Sequence, residues 1–428
     1  MKPLSQPSQP FPNPPGSGGT VAFAIEGGTP RFAKPLYVGR PNRVDKVRLM
    51  ERIEGLIDRG NLTNNGPLVD ELETRMARRL GAAHCVALSS GTVALEIAAR
   101  ALDLDGEVIL PSFTFVATAH ALQWQRIKPV FCDIDPHTHL LDPAKVEAQI
   151  TKRTSAILGV HLWSRPCDHQ ALAQIADRHN LKLFFDAAHA LGAAPRRVAG
   201  AVEVYSLHAT KFVQAFEGGL AVTDDADLAH KMRLMRNFGF SDYDTVIHVG
   251  TNGKMSEVSA AMGLTSLESM DRFVEVNRHN HRLYRDGLDG IDGVKLMNYD
   301  DMAQSNHQYL VVEIDPWRSG LTRDELVEVL MAENVFARRY FYPGCHRLEP
   351  YRSIDRGKDL DLVVTERVAS RVMVLPTGTG IEPDQIRRVC HLIRDALNVA
   401  AAPRLKKRIR QIGPRLPRVE GDSTHLHP

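Results

Sequence analysis

A lone lysine, Lys211, stands among small and apolar residues in Ser206-Leu207-His208-Ala209-Thr210-Lys211-Phe212, just after a run rich in β-formers. An ammonium surrounded by Ala, Phe and Val loses hydration, which favours the neutral amine, and a neutral amine attacks carbonyl groups. The alternative is an exposed lysine whose stem lies over Phe212. Phe184-Phe185-Asp186-Ala187-Ala188-His189 sets a carboxylate directly after an apolar run, where it is costly without a cationic partner. A protonated pyridine nitrogen is such a partner, and holding it charged turns the ring into an electron sink. A helix N-cap is the other reading of Asp186. His189 either reaches a ring hydroxyl or satisfies the core.

Two more segments belong with these. Ser89-Ser90-Gly91-Thr92 precedes Val93–Ala99, a strong helix former. Unpaired N–H groups at that helix start, the close approach allowed by Gly91 and the hydroxyls of Ser90 and Thr92 suit a phosphate, although Ser-Gly-Thr also serves as a plain N-cap. Pro111-Ser112-Phe113-Thr114-Phe115 leaves two aromatics after a strand, either to stack on a flat ring or to fill the core.

The elements needed to position these residues are legible. Short β-rich runs alternate with helical stretches from about 71 to 229: Cys85–Leu88, Glu107–Leu110, Val130–Ile134, Ala156–His161, Leu183–Phe185, Glu203–Ser206 and Leu220–Thr223. This rhythm, without strict polar alternation, predicts an α/β fold with a mostly parallel seven-stranded sheet covered by helices on both faces. Ligands of such sheets bind at the carboxyl ends of the strands, where each segment above falls. A long helix over 257–288 is expected to lead into a smaller C-terminal α+β domain with strands Gln308–Ile314, Val335–Tyr340 and Val372–Leu375 and helices over 323–333 and 383–397. The expected division is a disordered tail over 1–34, a large domain over 35–288, a small domain over 289–400 and a basic flexible tail over 401–428.

Composition excludes several functions. With 53 basic against 51 acidic residues the net charge is +2, too small for a global field that recruits nucleic acid. The basic run Arg404, Lys406, Lys407, Arg408, Arg410, Arg415 and Arg418 has no interleaved aromatic to stack on bases and reads as a solvated, partly helical tail. No apolar run reaches the roughly 20 residues of a membrane span. The five cysteines are scattered and never spaced Cys-x-x-Cys, so no disulfide framework or metal site is expected, and a reducing cytoplasm fits.

Taken together, Ser-Gly-Thr at 90–92, Pro-Ser-Phe-Thr-Phe at 111–115, Asp186-Ala-Ala-His189, Ser206-x-His208-Ala-Thr-Lys211 with Glu217-Gly218-Gly219, and Gly250–Glu257 resemble the DegT/StrS sugar aminotransferases over about residues 35–397. That resemblance implies the fold type I architecture and the cofactor pyridoxal 5'-phosphate. It implies that Lys211 carries the cofactor as a Schiff base, that Asp186 pairs with the pyridine nitrogen, that Phe115 stacks on the ring and that His189 lies beside the ring hydroxyl. Phosphate is expected on Ser90, Gly91, Thr92 and Ser206, with His208 adjoining. It also implies a homodimer in which Asn252 reaches the neighbouring subunit's site.

Gly39-Arg40-Pro41-Asn42-Arg43, Gly159–Cys167, Asn306–Tyr309 and Tyr342–Tyr351 further resemble the 4-aminotransferases of deoxysugar pathways for natural products. This implies dTDP-4-keto-6-deoxyglucose as acceptor and L-glutamate as donor. Arg40, Arg165 and Arg347 are then candidates for the diphosphate, since a guanidinium fork matches phosphate oxygens. His161, Tyr342 and His346 are candidates for the sugar. Ser164 departs from the pattern, in which Gly is common, and leaves the shape of that loop open. A sugar 3-dehydratase is disfavoured by Lys211, because those relatives carry His there. Amination of a 3-ketosugar and a non-enzymatic cofactor-binding regulator are the alternatives.

Overall fold

Seven strands form the central sheet in the order 84–88, 219–223, 202–206, 182–186, 154–160, 107–111 and 128–132. All neighbours run parallel except Gly219–Thr223, which is antiparallel to both of its partners. Glu107–Pro111 and Gly219–Thr223 are buried at every position, the signature of strands covered on both faces. The computed structural model describes residues 22–193, 198, 200–299, 304–355, 360–399 and 401–413.

Glycine sets the closest approach in the sheet. A Cβ on Gly219 would lie 2.3 Å from the carbonyl oxygen of Ser90, and one on Gly91 would lie 3.0 Å from Cβ of Ser206. These two positions draw the Ser90 turn, the end of strand Val202–Ser206 and the start of strand Gly219–Thr223 into one corner. The third anticipated strand, Val130–Ile134, ends earlier than expected: pairing stops at Cys132, and Ile134 instead bridges Leu141.

The anticipated 257–288 helix is two helices, Glu257–Glu268 and Met270–Leu288. Between them the Ser269 hydroxyl donates back to the Thr265 carbonyl at 3.2 Å, a local bond that competes with the helical ladder. A three-stranded antiparallel sheet follows, with Leu310–Ile314 between Val294–Leu296 and Val372–Leu375. Val335–Phe336 does not join it but pairs in parallel with Leu36–Tyr37.

Both anticipated tails need correction. Phe23, Ile25 and Phe32 are buried in the same apolar cluster as Leu326, Leu330 and Leu405. The N–H groups of Ala24 and Arg31 donate to the carboxylate of Glu333 at 2.8 and 2.6 Å. Residues 22–34 are therefore docked. The basic run includes an amphipathic helix, Ala402–Ile412, which buries Ala402 and Leu405 and rests Ile409 and Ile412 on the cluster. Arg404 pairs with Glu26 at 2.7 Å, tying this helix to the N-terminal segment. Residues 1–21, Arg415 and Arg418 lie outside the described residues. We propose that the chain divides near residue 288, with each docked segment belonging to the C-terminal part. Among the described residues no helix is long and apolar enough to cross a membrane.

Candidate active site

The carboxyl ends of the strands open onto a cleft of about 160 Å³, lined by Lys211, Asp186, His189, Phe115, Ser90, Gly91, Thr92, Ser206, His208 and His161. Lys211 does not sit on a helix. After Ser206 the chain turns, with the Lys211 N–H donating to the His208 carbonyl at 2.8 Å and Leu207 bonding to both Ala215 and Gly218. The side chain is half-buried. Desolvation lowers its pKa to about 8, against the opposing pull of Asp186. A reactive amine therefore exists near neutral pH.

Asp186 ends strand Lys182–Asp186 and is buried. No helix follows it, so the N-cap alternative is not realised. Oδ2 accepts from the Thr118 hydroxyl at 2.8 Å and Oδ1 from the Ala188 N–H at 3.1 Å, an Asx-type turn. Thr118 is itself within 2.8 Å of the Thr114 hydroxyl. A carboxylate has about four lone-pair sites, so this one keeps acceptor capacity toward the cleft.

His189 is buried, its ring stacked on Tyr309 with centroids 4.1 Å apart. Its Nδ1 has no hydrogen-bond partner among the described residues. Burial, assisted by the charge of Lys211, holds the ring well below the usual histidine pKa, so it is neutral. Phe115 remains 36% exposed on the cleft wall at the entry to helix Val116–Gln123. Ser90 spends its hydroxyl as N-cap, accepting the Val93 N–H at 3.1 Å. That leaves the first N–H groups of helix Gly91–Ala101 without intrahelical partners, beside the Ser206 and Thr92 hydroxyls.

These residues fit pyridoxal phosphate. A half-exposed aromatic, a supported carboxylate, an orphaned imidazole nitrogen, a helix start with hydroxyls and a lysine of lowered pKa are the groups that would suit the ring face, its nitrogen, its hydroxyl, its phosphate and its aldehyde. In cofactor-free protein the uptake of pyridoxal phosphate is expected to rise as pH passes through about 8 and then level off, because the neutral amine is the reacting form. Stopped-flow absorbance against pH checks this; a midpoint near the ordinary lysine value of about 10.4 contradicts it.

A family model described as DegT/DnrJ/EryC1/StrS aminotransferases matches residues 44–394. The chain belongs to this aminotransferase family. It is 38% identical over 368 residues to the dTDP-4-amino-4,6-dideoxy-D-glucose transaminase of Shigella dysenteriae, spanning 85% of this chain and 99% of that protein. The Escherichia coli protein of the same name is 34% identical over 365 residues, spanning 84% and 98%. Among solved structures, DesI in the presence of its TDP-sugar product superposes with a TM-score of 0.86 at 50% identity, covering 90% of this chain and 99% of DesI.

The candidate sugar contacts of this DegT/StrS chain are more dispersed. His161 is in the cleft. Arg165 lies outside its lining, with Nη2 donating to the Asn298 carbonyl at 2.9 Å. Arg347 is paired through Nε with Glu366 at 2.8 Å, and His346 is held between the Ser112 hydroxyl at 2.7 Å and Glu366 at 3.1 Å. Their donors are committed to fixing the 344–347 loop against the strand end, a structural use that the sequence pattern does not distinguish from ligand binding. Tyr342 is exposed, with the guanidinium groups of Arg323 and Arg339 within 5.2 and 5.0 Å of its ring. Arg40 is exposed over Tyr37, and Asn252 is exposed and outside the lining of its own chain's cleft.

The structure also adds residues. Tyr340 and Phe341 close the cleft from the C-terminal part, and Glu217 lies 3.5 Å from His208 at its rim. Thr118 reaches Asp186 from helix Val116–Gln123 at 2.8 Å, a contact made 68 residues along the chain. Ser164 keeps a left-handed backbone with φ 67° and accepts the Asn306 N–H at 3.1 Å, so the loop holds the shape that Gly would adopt freely. Asn42 is a further brace: it donates to the carbonyl of Phe212, next to Lys211, at 3.0 Å and accepts the Thr379 N–H at 3.2 Å.

Proposed function

We propose that this chain is a pyridoxal phosphate-dependent transaminase that moves the amino group of L-glutamate to carbon 4 of dTDP-4-keto-6-deoxy-D-glucose. The observation that carries the reading is Lys211, with pKa lowered to about 8, sharing one cleft with the supported carboxylate of Asp186. The substrate is supported by likeness to the dTDP-4-amino-4,6-dideoxy-D-glucose transaminases and to DesI with its TDP-sugar product.

Phosphate would be held by Gly91, Thr92 and Ser206, the ring by Phe115 and His189, and the pyridine nitrogen by Asp186. When bound there, the cofactor supplies an aldehyde that takes up amines and a ring that delocalises an electron pair. Lys211 does the proton work. Its Nζ takes the proton from Cα of glutamate and, in the second half of the cycle, gives a proton to carbon 4 of the sugar. The geometry of Asp186 is fixed by the Thr118 hydroxyl and the Ala188 N–H, which leaves acceptor capacity facing the cleft. Tyr340 and Phe341, which line the cleft from the C-terminal part, would shield the reacting carbon from water.

Two copies are proposed to associate with shared sites. Phe238, Phe240, Val246, Ile247 and Val249 are exposed together around the hairpin 240–246 that precedes Asn252, an apolar surface that a second copy would cover. Asn252, exposed and outside its own cleft's lining, would then be available to the partner's.

Incubating the protein with glutamate and either the 4-keto or the 3-keto isomer of the dTDP-sugar tests the substrate. NMR is expected to show an amine at carbon 4 and 2-oxoglutarate in equal amount. Turnover of the 3-keto isomer alone would overturn the regiochemistry and leave transamination intact.

A further inference from the structure

Behind the strand ends lies a cluster that this chemistry does not use. His161, His169 and Glu203 are buried, and their nitrogen and oxygen atoms come within 4.8 Å of one another. Glu203 pairs in register with Phe185, and Phe185 with Gly159, so this row sits one residue before Asp186 and on the opposite face of the sheet. A Cβ on Gly159 would stand 2.7 Å from the Phe185 ring. The small residue there leaves Phe185 its place, and both imidazole rings pack on Phe185 with centroids 4.7 Å away.

Donors converge on the carboxylate. The Tyr205 hydroxyl donates to Oε2 of Glu203 at 2.7 Å. Nε2 of His161 and of His169 face Oε1 at 3.8 and 3.7 Å, beyond a direct hydrogen bond but within charge range. Nδ1 of His161 accepts the Cys167 N–H at 3.3 Å, so the neutral ring carries its proton on Nε2, toward Glu203. A metal ion at Nε2 would have to displace that proton, which argues against a metal centre. Burial pushes the Glu203 carboxyl up, yet His161, His169 and Tyr205 hold it far below the usual carboxylate range. His161 carries the link to the cleft: its side chain lines the cleft, and its backbone N–H donates to the backbone carbonyl of Asp186 at 2.8 Å.

We propose that Glu203 is a positioning residue: acting through His161, its buried charge aligns the strand end that bears Asp186 and adds a second negative potential on the side of the cleft where a cofactor ring nitrogen is protonated. This rests on the pyridoxal phosphate reading above. The titratable groups facing Glu203 are His161, His169 and Tyr205; Cys167, whose N–H meets His161, lies in turn within the field of Asp168 and Asp186.

The test is a pH titration of cofactor absorbance in the holoenzyme of wild type, Glu203→Gln, Glu203→Met and Glu203→Asp. Removing a negative charge disfavours the protonated cofactor, so the midpoint is expected to fall by about 0.5–1 unit in the Gln and Met variants. Their kcat should drop about tenfold while KM for the sugar is unchanged, and the Asp variant, which keeps the charge, should titrate like wild type. Methionine fills the space, so a purely structural glutamate predicts a Met variant with the wild-type midpoint. That result, or a wild-type midpoint for the isosteric Gln variant, overturns the inference. A wild type without cofactor absorbance would instead overturn the reading beneath it.

Discussion

Lys211→Ala is expected to abolish transamination while leaving a folded protein. The backbone turn survives the change, because its bonds run from the Lys211 N–H to His208 and between Leu207, Ala215 and Gly218. Removing a half-buried ammonium whose hydration is already reduced takes away a cost of folding and little else. The activity loss should exceed about 10⁴-fold, the upper range for a lost general base, since the same nitrogen is proposed to anchor the cofactor. Release of 2-oxoglutarate measures the activity and circular dichroism the fold. A folded variant with more than a hundredth of wild-type turnover would remove Lys211 from the centre of the mechanism.

Asp186→Asn should fold and bind cofactor yet turn over on the order of 10²–10³ more slowly, the usual cost of losing one electrostatic partner at a reacting centre. The amide oxygen can still accept from Thr118 or from Ala188, so the turn keeps its shape. What it lacks is the charge that holds a pyridine nitrogen protonated. Single-turnover kinetics with glutamate separates this from weaker binding. Unchanged kcat with raised KM would reassign Asp186 to binding.

Legibility in the sequence followed the physics of each signal. The strands that position the site were visible because burial on both faces writes continuous apolar runs, as in Glu107–Leu110 and Leu220–Thr223. Lys211, Asp186, His189 and Gly91 stood out because each breaks the local pattern just after such a run. Their contacts were harder. Thr118 and Tyr309 touch Asp186 and His189 from 68 and 120 residues away along the chain, a separation no local pattern encodes. Arg347 and His346 show the converse: a cation beside an aromatic-rich loop looks the same whether it meets a diphosphate or Glu366, with which both residues pair here. The docked ends were missed because Pro and Gly dominate 1–20, which hid Phe23, Ile25 and Phe32, and because basic residues hid the i, i+3, i+7 spacing of Ala402, Leu405 and Ile409.

Borohydride reduction of the holoenzyme followed by peptide mapping bears most directly on the central claim. A single pyridoxyl group is expected on the peptide that contains Lys211, with prior addition of glutamate preventing its attachment. A pyridoxyl group on another lysine, or none under conditions where the cofactor is bound, would contradict the account.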